Sequence, residues 1–164
     1  MFSFQFHFLG FFLLFFSPVV NAMDLTFDAA KVKVTVPDAC SMKVVTKKEV
    51  TNLKMFCKDS LMMGQFAEIK SSDEDGIIKR SEQEMKAMPN AEFKSLKEKT
   101  LDSGVSLKMI GVESSENNKT IRMVVAVVDG GQGQKLMIRL GSGAPEEQFS
   151  KAFTSVFDSL SKGK

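Results

Sequence analysis

CSMKVVTKKEVTNLKMFC, residues 40–57, begins and ends in cysteine and reads C-x-M inward from either end. These are the only two cysteines of the 164-residue chain. Read as two antiparallel strands around a polar centre, the stretch can pair Cys40 with Cys57, Met42 with Met55, Val44 with Leu53 and Thr46 with Thr51. Strand side chains alternate with period two, so these eight share one face, while Lys43, Lys54, Val45 and Asn52 take the other. The register that opposes the cysteines is therefore also the one that makes the hairpin amphipathic. Directly opposed residues of a non-hydrogen-bonded pair have Cα atoms about 4.5 Å apart, within reach of a disulfide. A staple between Cys40 and Cys57 is the expectation.

Two other readings compete with the staple. Two thiolates and two thioethers, Met42 and Met55, are soft donors suited to Cu(I). Against this, the methionines sit where core methionines belong, and the chain holds 11 of them. The cysteines could also stay reduced and buried. Redox catalysis is disfavoured, because no C-x-x-C spacing is present to lower a thiol pKa.

The compartment bears on that choice. Residues 1–22, MFSFQFHFLGFFLLFFSPVVNA, contain no Lys, Arg, Asp or Glu. The apolar run from Phe8 to Phe16 falls short of the about 20 residues that span a bilayer, but it suits the core of a signal peptide. Pro18 breaks a helix, and Val20-Asn21-Ala22 offers modest side chains to a signal peptidase. The sequence thus predicts an exported protein, periplasmic or secreted, whose mature domain runs from Met23 to Lys164 without an integral membrane segment. An uncleaved tether is the alternative. Export favours oxidised cysteines.

The remainder of the chain carries all 22 basic and 20 acidic residues, and its net charge is +2. It retains neither the only histidine, His7, nor any tyrosine or tryptophan. A balanced charge offers no basic field to gather nucleic acid. Without imidazole, Ser-His-Asp and Cys-His catalysis and most catalytic zinc sites are excluded. The S-x-x-K pattern at Ser159 to Lys162 lies where helices fray and nothing excludes water. Paired carboxylates remain, so a carboxylate-based hydrolase is the third-ranked reading, and no catalytic residue or cofactor is assigned.

Outward from the hairpin, AKVKVTVPD (30–38) alternates Val32, Val34 and Val36 with polar residues and ends at Pro37-Asp38. LMMGQFAEIK (61–70) reads as a strand. SSDEDG (71–76) opens a helix from about Ile77 to Met88, stopped by Pro89. EFKSLKEKT (92–100) fits a strand or a short helix. GVSLKMIGV and TIRMVVAVV are strands joined by a polar loop around SSENN, and KLMIRL is another, after the turn DGGQG. In the closing segment, Phe149, Ala152, Phe153, Val156, Phe157 and Leu160 recur at helical period as one apolar stripe. Pro145 suits its first turn, two glutamates its N-terminus, and Lys162 and Gly163 its end.

This order of elements resembles the PsbP/DcrB superfamily over roughly Phe27 to Leu160. The resemblance rests on Val34-Thr35-Val36-Pro37-Asp38 and on Phe153-x-x-Val156-Phe157-Asp158-Ser159-Leu160. Where many relatives carry Trp after the Pro-Asp, this chain has Ala39-Cys40, and it lacks the lipid-anchor cysteine of DcrB. The resemblance implies an α+β fold, an antiparallel sheet flanked by helices on both faces. It also implies a non-catalytic accessory role with a protein partner, and it supplies no catalytic residues.

Two local motifs remain. On the EF-hand pattern, Ser71, Asp73 and Asp75 take the first ligand positions, Gly76 the sharp turn and Glu82 the closing carboxylate. Ser replaces the first Asp, and Lys79 and Arg80 oppose a cation, so the favoured reading is an acidic N-cap formed by Asp73 or Asp75. Asn118-Lys119-Thr120 is a glycosylation sequon. The leading function is an exported binding or accessory module, and a copper- or calcium-binding protein is the alternative.

Overall fold

A computed structural model describes residues 22–37, 39–47, 50–131 and 133–163. The predicted leader lies outside these residues, apart from Ala22. The described residues form an α+β fold dominated by antiparallel sheet, with two helices. The strands are β1 (Ala22–Phe27), β2 (Val32–Pro37), β3 (Cys40–Lys47), β4 (Val50–Cys57), β5 (Met62–Ile69), β6 (Ala91–Thr100), β7 (Ser106–Glu116), β8 (Lys119–Asp129), β9 (Lys135–Ser142) and β10 (Ser161–Lys162). The helices are α1 (Glu74–Lys86), preceded by a 3-10 turn at Ser71–Asp73, and α2 (Glu146–Asp158). Seven strands build the large sheet in the order β3-β4-β5-β9-β8-β7-β6, and a small sheet runs β1-β2-β10.

The hairpin register is the amphipathic one: Cys40 opposes Cys57, Met42 opposes Met55 and Val44 opposes Leu53. Burial fades along it. Cys40, Cys57 and Met55 are buried and Met42 is partly covered, whereas Val44 near the tip is exposed. The ambiguous segment 92–100 is strand β6, because its non-bulged positions find partners along β7.

Most of the core joins the two sheets. Val32, Val34 and Val36 of β2 meet Met62 and Phe66 of β5 and Leu136, Ile138 and Leu140 of β9, with Val156, Phe157 and Leu160 in the same cluster. Phe27 stacks on Phe66 at 6.0 Å between ring centroids. A second cluster gathers Met85 of α1 with Ile110, Val112 and Val125. The turn after β1 is pinned by Glu68, whose Oε1 accepts the N–H groups of Ala29 at 2.8 Å and Ala30 at 3.0 Å. The large sheet comes so close there that a Cβ at Gly130 would lie 2.2 Å from the carbonyl oxygen of Lys31, so only glycine fits.

Four local expectations are corrected. The helix opened by SSDEDG begins at Glu74, not Ile77, so half of that acidic stretch is helical. The loop around SSENN shrinks to a turn at Asn117-Asn118, both at positive φ (51° and 61°), a geometry that Asn tolerates and that tight hairpins require. Pro145 stands at the N-cap of α2 rather than in its first turn. The helix ends at Asp158, and Ser161–Lys162 leave it to pair with β2. Ser159 makes that exit possible: its Oγ accepts the Thr35 N–H at 2.9 Å and lies 2.7 Å from the Val156 carbonyl, which it can donate to. Strands β1 and β10 escape the sequence reading altogether, since one overlaps the predicted leader at Ala22 and the other is two residues long.

Candidate functional site

Three places combine chemistry with geometry. The first is the staple itself. Cys40 and Cys57 form a disulfide with an S–S distance of 2.02 Å and a Cα–Cα distance of 4.0 Å. Both sulfurs are consumed by the bond, so no thiolate is left to join Met42 and Met55 around Cu(I).

The second is the acidic stretch. Because Glu74 to Lys86 is helical, Asp73, Asp75 and Glu82 do not wrap around a common centre as a calcium loop requires. Glu82 turns to Lys86 one helical turn on. The N-cap expectation needs correcting too: Asp73 holds the cap position but makes no side-chain cap hydrogen bond, while Glu74 and Asp75 complement the dipole from the first turn.

Glu74, which no sequence motif singled out, is the stretch's most engaged carboxylate. It is buried and pairs with Lys135 of β9, and with Lys108 of β7 at 3.0 Å. Lys135 also reaches Asp129 at 3.3 Å. Burial pushes the Glu74 carboxyl up, but the hydrogen bonds and charges of Lys135 and Lys108 outweigh it and hold the group below the ordinary glutamate range. Both lysines are in turn held above theirs, chiefly by their hydrogen bonds to Glu74. A carboxylate so engaged is a weak proton acceptor, and its evident work is to fasten the start of α1 to the sheet. The adjoining open cavity of about 300 Å³ is lined by balanced charges, Glu74, Glu98 and Asp129 against Lys99, Lys108 and Lys135.

The third is a surface. Phe56, Met63, Gly141, Met123, Val112 and Phe93 are successive cross-strand partners from β4 to β6, so they form one row on one face of the large sheet. Helix α1 lies over β6, β7 and β8, where Met85 covers Val112. Past Met123 no described helix covers the row. Phe56 is 44% exposed, Met63 64% and neighbouring Ile121 46%, and Leu61, just ahead of β5 in the chain, is 53% exposed. The two strand-end glycines, Gly141 and Gly143, leave a depression of about 450 Å³ between Met63, Ile121 and Met123. Lys54 and Arg139 line the same depression. Arg139 donates to Glu84 of α1 at 3.0 Å, yet its buried Nε has no hydrogen-bond partner among the described residues.

Among the described residues no helix is long and apolar enough to cross a membrane, and no group of three His, Cys, Asp or Glu side chains is arranged to hold a metal ion. The chain matches no protein-family model, and no curated protein matches it significantly. Solved structures do match. LpqN, described as involved in cell envelope biogenesis of Mycobacterium tuberculosis, aligns at a TM-score of 0.52 and 13% identity, over 89% of this chain and 92% of that one. The likeness is one of fold. The Saccharomyces cerevisiae Ran-binding protein Mog1p aligns at a TM-score of 0.49 and 12% identity, over 84% of this chain and 85% of that one, too distant to carry argument.

Proposed function

We propose that this chain is an exported, non-catalytic binding module, a single α+β domain after residue 22, that holds a protein partner on the uncovered half of its large sheet. The observation that carries the reading is that Met63 and Ile121, both exposed, line one shallow depression, with exposed Phe56 directly opposite Met63 on the neighbouring strand. Aromatic and methionine side chains are the ones enriched at protein interfaces, and a wide open depression suits a protein surface better than an enclosed small molecule. Export is supported by the leader-like segment and by the disulfide.

The PsbP/DcrB-like layering, with a helix on each face of the sheet, belongs to the same proposal. Its support is that Met85 of α1 clusters with Ile110, Val112 and Val125, whereas Val156 and Phe157 of α2 cluster with Leu107, Ala126 and Val128. Neighbouring positions along a strand point to opposite faces.

The test is capture from the native envelope or secretory fraction with wild type and with Met63→Glu/Ile121→Glu, followed by reconstitution with the purified candidate. A partner that binds wild type and loses the double variant, with melting unchanged, supports the reading. A partner that binds both equally overturns it.

A further inference from the structure

The opposite face of the sheet carries a second, differently built pocket. In the β6–β7 ladder Lys94 pairs with Gly111 and Lys97 with Met109, so β6 takes three residue steps where β7 takes two. That is a bulge, and its consequence is directional. In a regular strand, residues three apart point to opposite faces; the extra residue brings Lys94 and Lys97 onto the same one. The face they share is that of Met109 and Val124, and Phe149 and Phe153 of α2 rise beside it. Together these enclose about 270 Å³ above Gly111, whose missing side chain leaves the floor flat.

The pocket's chemistry is two-part. Its lining includes no carboxylate, and neither lysine has an ion-pair partner among the described residues. Its walls are otherwise almost wholly apolar. Bulges and lysines also guard edge strands against unwanted pairing, and β6 is an edge. Edge protection accounts for positive charge on β6, but not for an apolar pocket with a glycine floor and two phenylalanines behind it.

We infer that this pocket receives an acidic peptide segment, one apolar side chain of which seats between Met109, Val124 and Phe153 while flanking carboxylates meet Lys94 and Lys97. The commitment to a peptide follows from size and charge. The volume lies just under the ~300 Å³ at which small-molecule sites begin, and it is open on one side. It suits one side chain, not a long acyl tail. Two separated cations call for carboxylates on both sides of that anchor. This site and the depression on the other face are independent, so failure of one leaves the other standing.

The probe is a fluorescein-labelled, amidated pentapeptide, Glu-Glu-Phe-Glu-Glu, followed by anisotropy on the full folded chain, with amide shifts of Gly111 and Phe153 read by NMR. Binding should be saturable, move both amides and weaken in salt. Lys94→Glu/Lys97→Glu should weaken it at least about tenfold, with melting unchanged because both residues are exposed. Exchanging the peptide's Phe for Gly should abolish it, and Met63→Glu should leave it intact. Absent shifts at Gly111 and Phe153, equal affinity for the charge-reversed variant, or preference for decanoate over the peptide would each overturn the inference.

Discussion

One row of side chains crosses the large sheet, and its two halves are finished differently. Over β6, β7 and β8 the row is roofed by α1, and Met85 buries Ile110, Val112 and Val125. Over β4 and β5 it stays bare, with Phe56 and Met63 in solvent. The roofed half is stabilised by packing. Among the described residues no helix lies above the bare half, and its outer hairpin is tied at the base by Cys40–Cys57 instead. A covalent tie holds strands together without covering the face they present. The contrast teaches that burial and cross-linking are alternative ways to secure a sheet, and only the second leaves the surface free to bind.

The sharpest way to break the contrast is to attack the roof. Met85→Asp should unfold the protein or cost more than about 4 kcal/mol, since it buries an unpaired charge among apolar side chains; chemical denaturation measures it. Removing the staple comes next. Cys40→Ser/Cys57→Ser should lose about 3 kcal/mol on the chain-entropy model yet still melt cooperatively, because the core of β2, β5 and β9 is intact. Non-cooperative melting would mean that the bare half has no stability beyond its covalent tie.

A smaller effect tests how the roof is fastened. The Glu74 carboxyl is depressed in the folded chain, so its contribution is present above the ordinary glutamate value and is lost as pH falls through the folded one. Wild type should therefore lose stability on acidification from about pH 6 to about pH 3, and Glu74→Gln should flatten part of that loss. Equal slopes would show that the pairs with Lys108 and Lys135 contribute nothing to stability. Least affected should be Met63→Ser on the bare half, within about 0.5 kcal/mol of wild type, as expected of an exposed site. A cost above about 2 kcal/mol would mean that this methionine belongs to the core and not to a binding surface.

What the sequence discloses depends on whether a signal is local. The hairpin register is legible because Cys40, Met42 and Val44 alternate against Cys57, Met55 and Leu53, and α2 is legible because Phe149, Phe153 and Phe157 recur at helical spacing. Strand β10 is not, since two residues have no periodicity and are strand only because Lys33 and Val32 wait for them. The start of α1 is misread because SSDEDG looks like a loop, whereas Glu74 is drawn into the helix by lysines 34 and 61 residues away in sequence. The bare surface and the bulge pocket share that reason. Both are made by cross-strand neighbours, and nothing in AEFKSLKEKT marks two lysines as facing the same way.

The small sheet has a mechanical consequence. Strands β1 and β10 both lie antiparallel to β2, with Ala22 beside Pro37 at one end and Lys162 beside Val32 at the other. Tension applied outward at Ala22 and at Gly163 would act in opposite directions along the strands, loading their hydrogen bonds in shear. In shear the bonds of a ladder share the force, whereas in peeling they give way one at a time. The described ends of the chain are thus gripped by a single strand, and a pull between them meets β2 before it reaches the core.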